Sequence, residues 1–492
     1  MRKTVKKITA ILVLLMAAAL LLSCSDAGDK APVTEPQQTT AAAEESENTA
    51  EPEETEPQLV VPEYNFNGGE ITVLVLESEG WVTSRDFEYF DESAGEPVND
   101  AVKDRVIKVE EQFNCVLHPI HSKDLVNAAK SEIMAGGTAY DFIMPKLAEV
   151  KTVASEGLLH DLNKIDTLKL DQPWWNQNAV ESLSIAHKLF FGFGDISLID
   201  NDGIATMGFS KKLVADNDLT SPYEFVYNDT WTIDAMQELC KGMNRDLDGD
   251  GKMGKNDQYG FVNGYQNIVM FVYGAGEKLI SKDKDDIPYS TMVTDRKMDV
   301  IDRYIEFMKD DTAYGDLGIF GDHAAATPYF NNDQMLFRMS TMFRFTLTRE
   351  MDSDFGFIPI PKFDEQQEGY HHAFADASPG VSIPVTIENT DEIGAVVEAL
   401  AYYGRYVLLP AYYDINLQTK ISRDDESAGM LDIIYDTSTF DLGYVYNFSS
   451  VIDLLYDCGY KKTNNFASAY ASKETAIEKQ IQELVDSYLA LD

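Results

Sequence analysis

The strongest constraint in this sequence is an alternation of short β-rich runs with longer helical ones, which sets in at Gly69 and continues through most of the chain. Residues 71–76 form an apolar, β-branched run. Residues 98–113 then place Val98, Val102, Val106, Val109 and Phe113 on one helical face, and a strand-like run over 115–120 follows. This is a β-α-β unit. A helix over 125–134, a strand over 140–144 and a helix over 147–156 that stops at Gly157 extend it. The expected fold class is therefore α/β, with a parallel, helix-flanked sheet whose ligands gather at the carboxyl ends of its strands. From Gly203 the rhythm restarts with a strand over 204–209, a helix from Lys211 and another over 232–243. Later stretches read as helix over 298–308 and 332–337 and as strand over 355–360 and 380–384. Helices follow over 392–407, 427–434 and 473–491, the last with Ile477, Ile481, Leu484 and Tyr488 on one face.

Ahead of this body lies a different kind of chain. Arg2, Lys3, Lys6 and Lys7 precede an apolar run over 8–22, shorter than the roughly 20 residues that span a bilayer, so residues 1–23 read as a signal peptide. The run ends in Leu21-Leu22-Ser23-Cys24, which resembles the bacterial lipoprotein box. That resemblance implies a diacylglyceryl lipid on Cys24 and a mature chain anchored to the outer, extracellular face of the cell membrane. Two acyl chains hold stably where one is marginal, at about 0.8 kcal/mol per buried methylene. Residues 24–58 carry ten acids against Lys30 alone, together with Pro32, Pro36, Pro52 and Pro57, and show no apolar periodicity. They read as a disordered acidic tether with a reach of about 30 Å, stretched further by like-charge repulsion.

Composition narrows the function. With 83 acidic and 40 basic side chains and a net charge of -43, the chain repels phosphate backbones, and no Lys/Arg cluster offsets this, so nucleic acid is not an expected partner. An apolar content of 44% suffices for a large core, and four cysteines cannot make a disulfide-dense scaffold. With Cys24 lipidated, Cys115, Cys240 and Cys458 read as buried thiols.

Several stretches, in this order and spacing, resemble the extracellular solute-binding proteins of ABC importers, in particular the carbohydrate-binding family 1 type. They are YDFIMPKLAEVKTVASEGLLHDLNKI at 140–165, GFSKKLVADNDL at 208–219, and NDTWTIDAMQELCKGMNRDLDGDGKMGKNDQYGF at 228–261. NNDQMLFRMSTMF at 331–343, DFGFIPIPKFDEQQEGYHHAFADASPGVSIP at 354–384, and EALAYYGRYVLLPAYYDINLQTKISRDDESAGMLDIIYD at 398–436 complete the set. The resemblance implies a two-lobed periplasmic-binding-protein-like fold of type II over residues 59–492, each lobe a helix-flanked sheet, with a hinge between them. Lobe one would hold about 66–200 and 370–405, and lobe two about 203–369 and 406–492. It further implies a monomer that captures a small-molecule solute, an oligosaccharide or sugar, by hinge closure and delivers it to an ABC permease in the membrane.

A sugar has apolar faces and polar edges, so its site needs flat aromatics beside carboxylates, amides and guanidinium groups. Trp81, with Glu79, lies in the loop after the first strand. Trp174 and Trp175 close the first-lobe segment, and Trp231 opens a helix. Asp195 and Asn201 bracket the first crossing, and Asp376 precedes the return strand. Relatives of this type often have a small residue followed by Trp where this chain has Met342-Phe343-Arg344, which makes Phe343 the stacking candidate and Arg344 its polar neighbour. His371 and His372 lack a third partner at ligand spacing and read as surface histidines.

The sharpest local motif runs from Asp246 to Asp257. Asp246, Asp248 and Asp250 stand at positions 1, 3 and 5, a glycine at 6, the Lys252 carbonyl at 7 and Asp257 at 12, a spacing that resembles an EF-hand loop holding a structural calcium ion. It departs from that pattern in having Asp at position 12 and a strand, 258–263, after the loop. A surface glycosidase would need two carboxylates roughly 5 to 10 Å apart. The sequence carries no nucleophile elbow, zinc-binding helix, phosphate loop or dinucleotide fingerprint. A tethered adhesin or scaffold would show repeats or sandwich-like strand spacing. A non-enzymatic binder is the expectation.

Overall fold

In the computed structural model, which describes residues 57–491 apart from 79–85, 347–350, 376 and 419–424, the first β-α-β unit forms as its pattern dictates. Strand β1 (Gly69–Leu76) is central, pairing in parallel with β2 (Cys115–Ser122) along its whole length and with β3 (Phe142–Ile143) through Val73 and Leu74. The connecting helix, Pro97–Phe113, has proline in its first turn, where its missing N–H costs nothing. It buries Val102, Val106, Val109 and Phe113 against the sheet and ends at Asn114 in the left-handed conformation. Segment 380–384 returns to the same sheet by a single antiparallel bridge from Ser382 to Ile143, with another from Val381 to Gly192 outside the sheet, and not as a regular strand. Pro379 and Pro384, which lack N–H donors, flank it.

The second sheet holds β4 (Ala205–Ser210), β5 (Tyr259–Asn263), β8 (Tyr314–Asp316), β9 (Met335–Thr341) and β10 (Phe355–Ile358) in the order β10-β4-β9-β5-β8. The numbers β6 and β7 belong to a separate hairpin, Ile280–Lys282 and Pro288–Ser290. Strands β5, β8 and β9 run parallel, and β4 is antiparallel to both β9 and β10. Here one expectation fails. The sequence pattern predicts helix over 332–337, but the helix lies upstream, at His323–Asn331, and Met335–Thr341 is a strand. Asp333, with φ of 57°, ends the helix, and the apolar run that follows is buried on both faces, a pattern whose period does not separate strand from helix.

Helix Thr390–Tyr403 continues through a π-helical stretch, Gly404–Leu408, into helix Leu409–Gln418. The last helix, Glu474–Ala490, buries Ile477, Ile481, Leu484 and Tyr488 as its pattern requires. Residues Leu59–Asp492 form one compact body. Among the described residues no helix is long and apolar enough to cross a membrane. The three thiols Cys115, Cys240 and Cys458 are buried and free, and burial raises the pKa of each, Cys115 to about 11.

His372 corrects the surface reading of the histidine pair. It lies in β11 (His372–Ala373), parallel to β12 (Ser438–Thr439), and is 0% exposed. The Ile360 N–H donates to its Nε2 at 3.1 Å, so the proton sits on Nδ1, which donates to Thr437 Oγ1 at 2.7 Å. Burial, with a smaller contribution from His371, pushes its pKa down to about 3. The neutral ring is therefore a native-state requirement. The stability it contributes is complete above the unfolded value near 6.5 and is lost as pH falls from there toward 3. In urea titrations across that range, His372→Gln is expected to be less stable than wild type at pH 7 but to lose about 2 kcal/mol less on acidification.

Candidate functional site

The carboxyl ends of the parallel strands fix where a ligand crevice sits in such a fold. In the first sheet these ends are Leu76, Ser122 and Ile143, and in the second Asn263, Asp316 and Thr341. Beyond β1 and β2, His121 Nε2 lies 2.8 Å from Glu88 Oε2. Beyond β5, the Tyr265 ring meets Tyr460 edge-on at 5.3 Å between centroids, and Tyr460 is 70% exposed. Gly459 permits this approach, because a Cβ there would lie 2.4 Å from the Tyr265 carbonyl oxygen. Beyond β9 follows the short helix Met342–Thr346, on which Phe343 and Arg344 are partly exposed.

The crossing between the sheets, from Gly192 to Ile204, is held from several sides. Asp195 pairs with Arg405 at 2.9 Å, and Tyr412 donates to Asp202 Oδ1 at 2.8 Å. Arg105, fully buried, donates through Nη1 to the Ile196 carbonyl at 2.8 Å and through Nη2 to the Asp86 carbonyl. Asp86 in turn accepts from Ser197 Oγ at 2.7 Å and from the Leu198 N–H at 2.8 Å. Asp200 accepts from the Gly194 N–H. Burial, reinforced by the charges of Asp86 and Asp195, raises its carboxyl well above the ordinary range. Asn201, in the single turn Ile199–Asp202, is half-buried beside these acids.

Three of the tryptophans expected at the solute are core residues. Trp174 and Trp175 are buried, and their indole N–H groups both donate to Glu398, at 2.9 Å each. Trp231 is likewise buried and donates to the Pro359 carbonyl at 2.8 Å. With rings enclosed and donors committed, none presents a face to a ligand in this conformation. Trp175 bridges to Gly194 and Trp174 stacks edge-on against Tyr402, so both rings pack into the interior. Glu79, Trp81 and Asp376 lie outside the described residues, as does Cys24. Tyr265 and Tyr460 were missed, although Tyr265 follows directly on the strand read over 258–263. Tyr460 carried no local signal, because only packing brings its helix to that strand.

In the acidic loop, Asp246, Asp248 and Asp250 are exposed, and each offers a carboxylate oxygen within 4.8 Å of the others. Asp246 accepts from the N–H groups of Gly249 and Gly251, and both glycines have φ above 70°. Asp250 accepts from the Lys252 N–H. Asp257 stands apart: its two oxygens take the N–H groups of Leu247 and Gly254, which hold its carboxyl below the usual range and close the base of the loop. β5 follows at Tyr259, so the expected strand forms.

No family model matches the sequence, and no curated protein does. Solved structures do match. Maltose-binding periplasmic protein MalE from Listeria monocytogenes, in complex with maltose, is 14% identical and superposes with a TM-score of 0.55 over 84% of this chain and 98% of its own. The apo form of RafE from Streptococcus pneumoniae is 14% identical, with a TM-score of 0.53 over 86% of this chain and 97% of its own. Maltose-bound MalE3 from T. maritima is 13% identical, with a TM-score of 0.50 over 86% and 100%. The fold is the two-lobed fold of the maltose-binding proteins. It accounts for the two sheets and for a crossing segment clamped between them.

The clamp yields a prediction. Glu398→Ala leaves two indole donors and the Lys169 N–H without their acceptor in a closed interior. It is expected to lower unfolding stability by about 3–5 kcal/mol, measured by urea denaturation with tryptophan fluorescence as the probe.

Proposed function

We propose that this protein is a lipid-anchored solute-binding protein that captures a saccharide by hinge closure and hands it to an ABC permease. The observation that carries this reading is the pair of parallel strand sets: the carboxyl ends on the second sheet lead into Tyr265, which Tyr460 meets from a packed helix, and into Phe343 and Arg344, and the connecting segment carries Asp195 and Asn201. Solved proteins with the same fold bind maltose. Aromatic rings beside a guanidinium, carboxylates and an amide are what a sugar's apolar faces and hydroxyl edges require. Ligand contacts made only in the closed state would shift the population toward closure, the form a permease reads. Acylation of Cys24 and the acidic tether would keep a monomeric body near the outer face of the membrane.

A thermal-shift and calorimetric screen against oligosaccharides, monosaccharides, peptides and polyamines tests this. A saccharide at 100 times its Kd is expected to add about 2.7 kcal/mol to stability. Stabilisation by peptides alone overturns the carbohydrate reading, and consumption of a glycan overturns the binder reading in favour of a glycosidase.

We also infer that the loop Asp246–Asp257 holds a structural calcium ion, with Asp246, Asp248 and Asp250 as carboxylate ligands, the Lys252 carbonyl beside them and Asp257 bracing the base. Mutual repulsion of three converging carboxylates supports it, since a divalent cation relieves that repulsion. Calorimetry should show calcium binding to wild type and at least tenfold weaker binding to Asp250→Ala. A wild type that binds none sinks the assignment.

A further inference from the structure

At the centre of the second sheet lies a positive charge with no acidic partner among the described residues. Arg338 sits on β9 between Gly208 of β4 and Val262 of β5 and is 0% exposed. Its Nη1 donates to Thr327 Oγ1 at 3.2 Å and its Nη2 to the His323 carbonyl, and its guanidinium lies 5.9 Å from the centre of the Phe345 ring. Its Nε has no hydrogen-bond partner, and neither has Nδ1 of His323. Among the described residues no carboxylate comes within ion-pair distance of Arg338 or Arg344. A buried guanidinium normally sits against an acid, because desolvation of an unpaired charge is expensive.

The neighbours make the imbalance larger. Burial and the charge of Arg344 lower the pKa of Arg338 to about 9, and burial with both arginines lowers that of His323 to about 4. Among the described residues, Asp322 is the acid that faces Arg344. Its carboxylate caps helix His323–Asn331 by accepting from the Ala325 N–H. Of the two guanidinium groups, Arg344 is the one whose charge acts on this capping carboxylate. The place matters as much as the charge: His323 follows the carboxyl end of β8, and Arg344 follows that of β9, so the cluster stands on the rim where the solute crevice lies.

We propose that Arg344, backed by Arg338 and His323, is an anion subsite of the solute cleft, and that the captured saccharide is acidic, carrying a carboxylate or a sulfate ester. The inference rests on the saccharide-binding reading and names its chemical class. A planar guanidinium fork matches either oxyanion through paired hydrogen bonds, and an anion arriving there supplies the charge that the interior lacks. The overall charge of -43 does not forbid it, because at physiological salt fields from distant surface acids decay over about 8 Å while contacts inside a cleft do not.

Calorimetry on the intact chain with trigalacturonate, a sulfated disaccharide and maltotriose tests the class. At least one acidic ligand is expected to bind ten times or more tighter than maltotriose, and which one does so separates carboxylate from sulfate ester. Arg344→Gln is expected to abolish that preference and Arg344→Lys to restore part of it. Tighter binding of maltotriose, or a preference unchanged in Arg344→Gln, overturns the anion subsite while leaving the saccharide reading intact. If no saccharide binds, inorganic sulfate alone still decides the subsite. Followed by NMR, the titration midpoint of His323 should move upward from about 4 when sulfate is added, and an unmoved midpoint overturns the proposal.

Discussion

The arrangement of this molecule depends on how closely three backbone segments approach one another at the first crossing. Gly194 packs where a Cβ would lie 2.3 Å from the Trp174 carbonyl oxygen, and Gly404 packs where a Cβ would lie 1.8 Å from that of Asp195. Two glycines therefore let the crossing pass between the Trp174–Trp175 segment and the helix that begins at Thr390. Glu398 on that helix then fixes both indoles by accepting their N–H groups, and Arg405, one turn beyond Tyr402, pairs with Asp195. The hinge closure proposed above needs lobes that stay rigid while a few backbone angles change, and this clamp would supply the rigid side.

The same interior shows how an acidic chain uses its few bases. Arg105, Lys297 and Lys362 are fully buried. Lys297 lies 3.4 Å from Glu277, Lys362 lies 2.7 Å from Asp229, and Arg105 rests on the carbonyls of Asp86 and Ile196. Each ties distant parts of the chain together. Most of the acids remain on the solvated surface, where they favour solubility and repel polyanions with phosphate backbones. Arg338 is also buried and, among the described residues, has no carboxylate within ion-pair distance, and a functional anion gives its placement a physical reason.

Much of the fold was legible because periodicity reports burial of one face. The run 98–113 and the expected last helix over 473–491 each carry one polar and one apolar side, and both formed within a few residues of their expected bounds. Residues 332–337 were misread for the opposite reason: β9 is enclosed on both faces, so its apolar run carries no period. The site was less legible. Aromatic residues are as often core as contact, and Trp174, Trp175 and Trp231 are core because their N–H groups find Glu398 and the Pro359 carbonyl in the interior. Arg344 was visible from its neighbours in sequence. Arg338 and His323 were not, since fifteen residues of chain separate two groups that touch.

By itself the sequence determined the α/β alternation and the acidic loop with its glycine turns, both of which are local patterns governed by neighbours a few residues apart. Tertiary structure alone decided which polar groups are buried and with whom: His372 against Thr437, Glu398 under two indoles, Tyr265 against Tyr460, Arg338 behind Arg344. The reason is that desolvation and hydrogen-bond pairing depend on distance in space, and residues that pack together this way can be hundreds of positions apart along the chain.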